Sequence, residues 1–274
     1  MAKKIRRRIK STEEEPAQGP PASRFDELRS RIRPVSEIDN GLKILLYGRS
    51  GTGKTTIAST FPGPTLLLDV REEGTDSVYD IEGIQVLPVQ SWDDIELTYW
   101  MLATQPHNYK TVIIDTISMA QVQLVRDILE KEGREAMSQQ LWGEVSGKMQ
   151  TVILGYRDLP MNVVFLAHDR IRESEEGEDD TLEPEVGPAL IPSVAKTLNG
   201  AVSIVGNTYV AEKVTQVKGK VKRRIEYRVR LGPHAFYTTK VRKPKGYRVP
   251  SYVVDATYEK LLRIRKGEYD GTEE

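Results

Sequence analysis

From residue 41 onward, short apolar runs alternate with stretches of helical spacing. Leu42, Ile44, Leu45, Leu46 and Tyr47 form a run of buried-strand type. Glycines follow, and then residues 54–61, which suit a helix. Residues 65–70, 84–89, 111–115 and 162–168 read as further short strands. Residues 93–104, 118–133 and 141–159 place their apolar side chains at helical intervals. Strands alternating with helices predict a mostly parallel central sheet flanked by helices. Right-handed crossovers then bring the strand ends, and the loops after them, to one edge.

The rhythm changes beyond residue 168. Residues 169–185 are acidic and poor in apolar side chains, which predicts a mobile loop. Residues 190–198 suit a helix and 201–210 a strand. Residues 209–214, 224–231 and 236–241 alternate, separated by Gly219 and by Gly232-Pro233, which predicts antiparallel C-terminal hairpins on the parallel core. Residues 1–40 differ again. They hold a basic block (Lys3, Lys4, Arg6, Arg7, Arg8 and Lys10), then acids and prolines, and bury too little to offset the entropy of ordering. The expected organisation is a flexible basic, proline-rich arm over 1–40, with a short helix over 25–32, and an α/β core over 41–274 carrying basic hairpins at about 207–248.

Composition narrows the chemistry. The 274 residues include 40 basic and 40 acidic side chains, so the net charge of zero conceals local asymmetry. With no cysteine, disulfides and thiolate metal sites are excluded. Three scattered histidines argue against a structural zinc site. No apolar run approaches the ~20 residues needed to span a bilayer. The basic start lacks the apolar stretch of an export signal, so a cytoplasmic location with no membrane partner is expected.

The sharpest signal is Gly48-Arg49-Ser50-Gly51-Thr52-Gly53-Lys54-Thr55, which meets every fixed position of G-x-x-x-x-G-K-[ST] between a strand and a helix. Glycines let the backbone turn through positive φ and approach a phosphate closely. Successive amides then converge on the β-phosphate, helped by the following helix N-terminus. Lys54 supplies a compact positive charge for the β/γ oxygens. The Thr55 hydroxyl is a ligand for Mg²⁺, which takes few protein ligands and keeps its waters. Thr56 is counted with these nucleotide-contacting residues. ATP and Mg²⁺ are the expected cofactors.

Hydrolysis also needs acids. Thr111-Val112-Ile113-Ile114-Asp115 is a buried strand ending in a carboxylate, the pattern that fixes a magnesium water; the bland rival is an Asp capping the next helix. Nothing directly after Asp115 is acidic, so the group that orients the attacking water is sought after the second strand, at Glu72 or Glu73. Asp69 stands just before them, and a solvated turn is the alternative. His168 ends another apolar strand and is a candidate sensor of the γ-phosphate, against a satisfied structural histidine.

Taken together, "LYGRSGTGKTT", "LLLDVREEGTDS", "TVIIDT", "VVFLAHDR" and "YTTKVRKPKG" resemble a group of phage RecA-core P-loop ATPases, some of which serve as single-strand annealing recombination proteins. The resemblance spans about residues 41–267. It implies a RecA-like sheet in which the His168 strand lies between the phosphate-loop strand and the Asp115 strand. It also implies that Glu72 or Glu73 is the catalytic carboxylate, although the spacing from Asp69 is longer than usual. Lys240 and Arg242 would reach the γ-phosphate of a neighbouring subunit, placing ATP at the interfaces of a homo-oligomer; basic residues on a solvated hairpin are the rival.

Thirteen Lys or Arg fall between residues 211 and 248, against Glu212 and Glu226. Basic hairpins interleaved with Tyr227, Phe236, Tyr237 and Tyr247 suit the backbone and bases of single-stranded DNA. Cross-strand packing is the competing use of those aromatics. The expected function is a DNA-stimulated ATPase in recombination, annealing or repair, with a single-strand-binding protein as a further candidate partner. A helicase- or loader-type motor acting through a protein is the alternative. A P-loop kinase for a small molecule fits less well, because the region where an arginine-rich lid is expected is acidic and the basic hairpins stay unexplained.

Overall fold

The computed structural model describes residues 22–34, 40–71, 74–172, 185–217, 220–269 and 271. Two units, residues 1–39 and 40–274, are treated separately. In the first, α1 (Ala22–Arg31) presents the exposed Phe25 and Leu28, with the exposed Ile32 just after its end.

The second unit is built on a nine-stranded sheet. Its parallel part comprises β1 (Lys43–Tyr47), β2 (Thr65–Asp69), β3 (Ile84–Pro88), β4 (Thr111–Asp115), β5 (Asn162–Ala167) and β8 (Ile204–Val217). Antiparallel to β8 run β9 (Lys220–Arg230) and the two-residue β10 (Lys240–Val241), and β11 (Tyr252–Val254) pairs with β9. The main path is β11-β9-β8-β1-β5-β4-β2-β3. The strand carrying His168 at its end therefore does lie between the phosphate-loop strand and the Asp115 strand, the order expected of a RecA-like sheet. A separate pair, β6 (Asp169–Arg172) and β7 (Glu185–Pro188), forms at the two ends of the region read as one acidic loop. Residues 173–184, its most acidic part, lie outside the described residues.

The period-two geometry of the strands divides their apolar residues between two cores. Leu45, Leu68, Ile114 and Phe165 face α3 (Trp92–Thr104), α4 (Ile117–Glu132), α5 (Gln139–Asp158) and α6 (Pro192–Ala201). Ile44, Leu46, Ile113 and Val164 face α2 (Lys54–Ser59) and α7 (Tyr258–Lys266) through Ile57, Ala58, Leu261 and Ile264. Each such buried side chain stabilises by about 1.5–3 kcal/mol before entropy is counted. Lys43, 5% exposed, donates to the carbonyls of Asn40, Leu159 (2.8 Å) and Met161, which lets a cation sit at the start of β1.

The late segment departs from expectation. Of residues 236–241 only Lys240 and Val241 are in a strand, because the preceding stretch bonds across to β7: Val186 N donates to Phe236 O and Thr238 N to Val186 O. The segments read as strands over 201–210 and 209–214 form, from Ile204 onward, one long strand, β8, rather than two, and Ala201 still belongs to α6. β11 and α7 were not anticipated.

Candidate active site

β1 delivers the chain to the carboxyl edge of the sheet, where residues 48–53 turn back into α2. Gly51 and Gly53 hold φ of 75° and 83°, the left-handed region in which a side chain is strained. Gly48 is pinned by proximity instead: a Cβ there would stand 2.3 Å from Thr208 O. Lys54, 7% exposed, donates from Nζ to Gly48 O and Arg49 O, both at 2.9 Å. The ammonium is thus held within the loop that surrounds it.

β4 brings Asp115 to the same edge. The Thr55 hydroxyl donates to Asp115 Oδ2 at 2.7 Å, and Asp115 is 4% exposed. The helix after β4 is capped by Thr116, whose side chain accepts from Met119 N, so Asp115 does not serve as the cap. A hydroxyl oxygen and a carboxylate oxygen side by side match the hard donors that Mg²⁺ selects, and Lys54 with the loop amides matches a polyphosphate. The residues present therefore fit Mg-ATP. Thr55 and Asp115 would hold the ion, which supplies charge neutralisation at the phosphates.

Around this centre the remaining candidates separate. Asp69 is level with Asp115 in the β2–β4 register. Glu72 and Glu73 lie outside the described residues; Arg71, just before them, turns the chain with φ of 59°. His168 follows β5 directly between the phosphate loop and Thr116. Its amide donates to Ser118 Oγ at 3.1 Å, and the preceding Ala167 O accepts from Gly48 N. That places His168 at the same edge of the sheet as the phosphate loop and Asp115.

Lys240 and Arg242 are elsewhere. β10 pairs with β8 at Ile204 and Val205, below the level of Asn207, which stands beside Tyr47 at the start of the loop. Lys240 Nζ donates to Asn199 O (2.5 Å), Gly200 O (3.3 Å) and Val202 O (2.9 Å), and Arg242 Nη2 donates to Gly200 O (2.5 Å). Both cations sit at the carbonyl end of α6, where the helix dipole favours positive charge. Burial, and next the charge of Arg242, push the Lys240 ammonium below the ordinary lysine value. Within one subunit neither residue belongs to the phosphate loop.

A cavity of about 500 Å³ opens beside the loop. Beyond Gly51, Lys54, Thr55 and Asp115, it is walled by Thr60, Ser77, Tyr227, Asp255, Ala256 and Thr257. Sequence reading missed most of this wall, and it assigned Tyr227 to DNA. A methyl added at Gly53 would meet the Tyr227 ring at 3.5 Å, so the ring lies against the loop. Asp255 N donates to Tyr227 O, and Tyr258 N donates to Thr60 Oγ1, both at 2.8 Å, tying the C-terminal segment to β9 and α2. Capping signals at Thr257 and Gly267 could have revealed α7, but nothing local announces that β11 pairs with β9 and swings this segment to the site.

The basic hairpin is two-faced. Lys213 is level with Arg224 and Thr215 with Lys222, and these share a face with Glu226 and Arg228. The opposite face carries the exposed Val210, Val214, Val221, Ile225 and Tyr227. Several cations already have partners. Glu226, 3% exposed, takes Arg228 (2.7 Å) and Lys213 (3.3 Å), and Arg224 reaches Asp255 at 3.5 Å. The Arg228 hydrogen bond, opposed by burial and aided by Lys213, holds the Glu226 carboxyl below the ordinary glutamate value. Arg230 is stacked between Tyr209 and Tyr237, 4.3 and 3.9 Å from the ring centroids. Tyr247 donates to Tyr269 O at 2.9 Å. The aromatics thus serve mainly packing and the cavity wall; Phe236 remains exposed.

A parallel sheet in this order, a glycine loop closed by Lys54 and Thr55, and an acidic strand end on the Thr55 hydroxyl define a RecA-like P-loop ATPase domain. At the level of families, the chain belongs to the AAA_24 family of AAA domains, whose model matches residues 40–242. No curated protein matches its sequence. Among solved structures, the KaiC-like protein PH0186 from the hyperthermophilic archaeon Pyrococcus horikoshii OT3 aligns with 14% identity over 78% of this chain and 88% of its own, with a TM-score of 0.38. Among the described residues no helix is long and apolar enough to cross a membrane.

Proposed function

We propose that this protein hydrolyses Mg-ATP and acts on single-stranded DNA in phage-type recombination, annealing or repair, as a homo-oligomer with ATP at its subunit interfaces. The observation that carries this reading is the cross-strand basic face of β8–β9, where Lys213 of β8 and Lys222, Arg224 and Arg228 of β9 share one face of a hairpin whose first strand, β8, also borders the phosphate-loop strand. Exposed ion pairs such as Arg224–Asp255 contribute only ~0–1 kcal/mol and are readily exchanged for phosphates. Among the described residues Lys222, Lys243, Lys245 and Arg248 make no ion pair, so they add charge without rearrangement. In this reading Asp115 and Thr55 hold the ion, Glu72 or Glu73 orients the water, His168 senses the γ-phosphate, and Lys240 and Arg242 of one subunit serve the next.

The test is ATP turnover with and without a thymidine oligonucleotide across a salt series. Stimulation that fades as salt rises supports the reading. No stimulation, together with no retention of the oligonucleotide at low salt, overturns it. A motor or loader acting through a protein partner is favoured by one observation, the exposed Leu97, Trp100 and Met101 on one face of α3.

A further inference from the structure

The phosphate loop is fastened to the root of the hairpin through two hydroxyls. Thr208 and Thr52 are 2% and 7% exposed, and their Oγ1 atoms are 2.7 Å apart. Thr52 has one proton, and Arg49 O, which can only accept, lies 2.8 Å from its oxygen. Thr52 therefore donates to Arg49 O and accepts from Thr208. Arg49 O is also one of the two carbonyls that hold Lys54 Nζ. The run is Thr208 to Thr52 to the carbonyl seat of the catalytic lysine. The other acceptor near Thr208, Tyr47 O, is farther at 3.3 Å and also receives Asn207 Nδ2.

The contact has no slack. A Cβ on Gly48 would meet Thr208 O at 2.3 Å and Thr208 Oγ1 at 2.5 Å, so β8 cannot shift toward the loop without moving it. On the hairpin side, Asn207 Oδ1 accepts from Arg230 Nη1 at 2.7 Å, and the two tyrosines fix that guanidinium. β8 continues from Thr208 to Val217 as one strand of the basic ribbon.

We propose that Thr208 is a positioning residue through which the β8–β9 hairpin sets the phosphate loop, so that whatever loads the hairpin is felt at Lys54. It acts through Thr52 and touches no substrate. The proposal rests on the reading of the hairpin as the single-stranded DNA site, and its test separates the two.

The variants are Thr208→Val, which keeps the shape and removes the hydroxyl, and Thr208→Ser, which keeps the hydroxyl. Turnover is measured with and without a thymidine oligonucleotide, and oligonucleotide affinity by fluorescence anisotropy. Thr208→Val is expected to lose the DNA stimulation by at least about fivefold while its DNA affinity stays within about twofold, and Thr208→Ser to retain both. Equal stimulation in Thr208→Val and the native protein overturns the proposal. Should Thr208→Val fail to fold, Thr208→Ala carries the same comparison. If the native protein neither binds nor responds to DNA, the functional reading fails, and hydrogen exchange then decides the linkage. A non-hydrolysable ATP analogue is expected to change protection of residues 207–212 in the native protein and in Thr208→Ser but not in Thr208→Val. The same change in all three sinks it.

Discussion

The Thr55 hydroxyl donates to Asp115 Oδ2 across 2.7 Å, joining the end of the phosphate loop to the end of a strand sixty residues later. A buried carboxylate at 4% exposure needs such a donor when no cation is bound, and in the proposed ion site the same two oxygens would face the cation. Thr55→Val removes the donor and one of the two proposed ligands. A hydrogen bond to a charged group is worth roughly 1.5–3 kcal/mol, so turnover is expected to fall by about 10- to 100-fold. The magnesium concentration for half-maximal turnover should rise with it. A Thr55→Val enzyme with unchanged magnesium dependence would remove the ion from this place.

Lys54→Ala is expected to abolish ATP binding or turnover, because the only ammonium in the loop is lost while the loop carbonyls that held it remain. Calorimetry with Mg-ATP and a turnover assay check it. Turnover at the native rate would show that nucleotide is processed elsewhere.

Lys240 and Arg242 make two separable predictions. In the isolated subunit they neutralise the carbonyl end of α6, so Lys240→Met with Arg242→Met should lower the melting temperature modestly, a loss of about 0.5–2 kcal/mol for two cations at a helix terminus. In the proposed homo-oligomer the same pair is expected to cut turnover with ATP affinity largely intact. Mixing this double variant with Lys54→Ala should restore part of the activity, since a mixed interface joins one intact loop to one intact pair of cations. No recovery on mixing, with subunit exchange verified, would count against action between subunits.

Tyr227 tests the division of labour on β9. Its ring walls the cavity by Gly53, on the face opposite the paired cations. Tyr227→Ala is expected to raise the KM for ATP by about tenfold, the scale of one lost base–aromatic contact, with little effect on DNA affinity. The reverse outcome would return Tyr227 to the DNA surface.

Glu226 gives the hairpin a pH dependence. Its folded-state value is lowered, first by the Arg228 hydrogen bond, so the charged form stabilises the native hairpin. That contribution is present above the unfolded-state value, near the ordinary glutamate 4.5, and is lost as pH falls from there through the lowered value. Thermal melts from pH 7 to pH 3 should therefore show a steeper acid loss for the native protein than for Glu226→Gln. Parallel curves would mean that the carboxylate is not coupled to folding.

Much of the fold was legible because its signals are local. The apolar runs of β1, β2, β4 and β5 are buried almost throughout, so their type needed no knowledge of their neighbours. β11 was not legible, because three residues between Pro250 and Asp255 form a strand only when β9 is there to pair with them. The reading of 236–241 as a hairpin strand failed for a related reason: β7 competes for its backbone.

What the sequence alone determined is the phosphate grip. Its chemistry resides in eight consecutive residues, and a main chain forced through Gly51 and Gly53 turns the same way wherever the rest of the molecule goes. Which other side chains share that site was decided by the tertiary structure. Asp115 and His168 arrive because β5 lies between β1 and β4. Thr208 arrives because β8 pairs with β1, and Tyr227 because β9 pairs with β8; a slip of one residue in either register would turn that side chain to the opposite face. Lys240 and Arg242 are carried to the far end of a helix by the same kind of pairing, a distance that no spacing in the chain records.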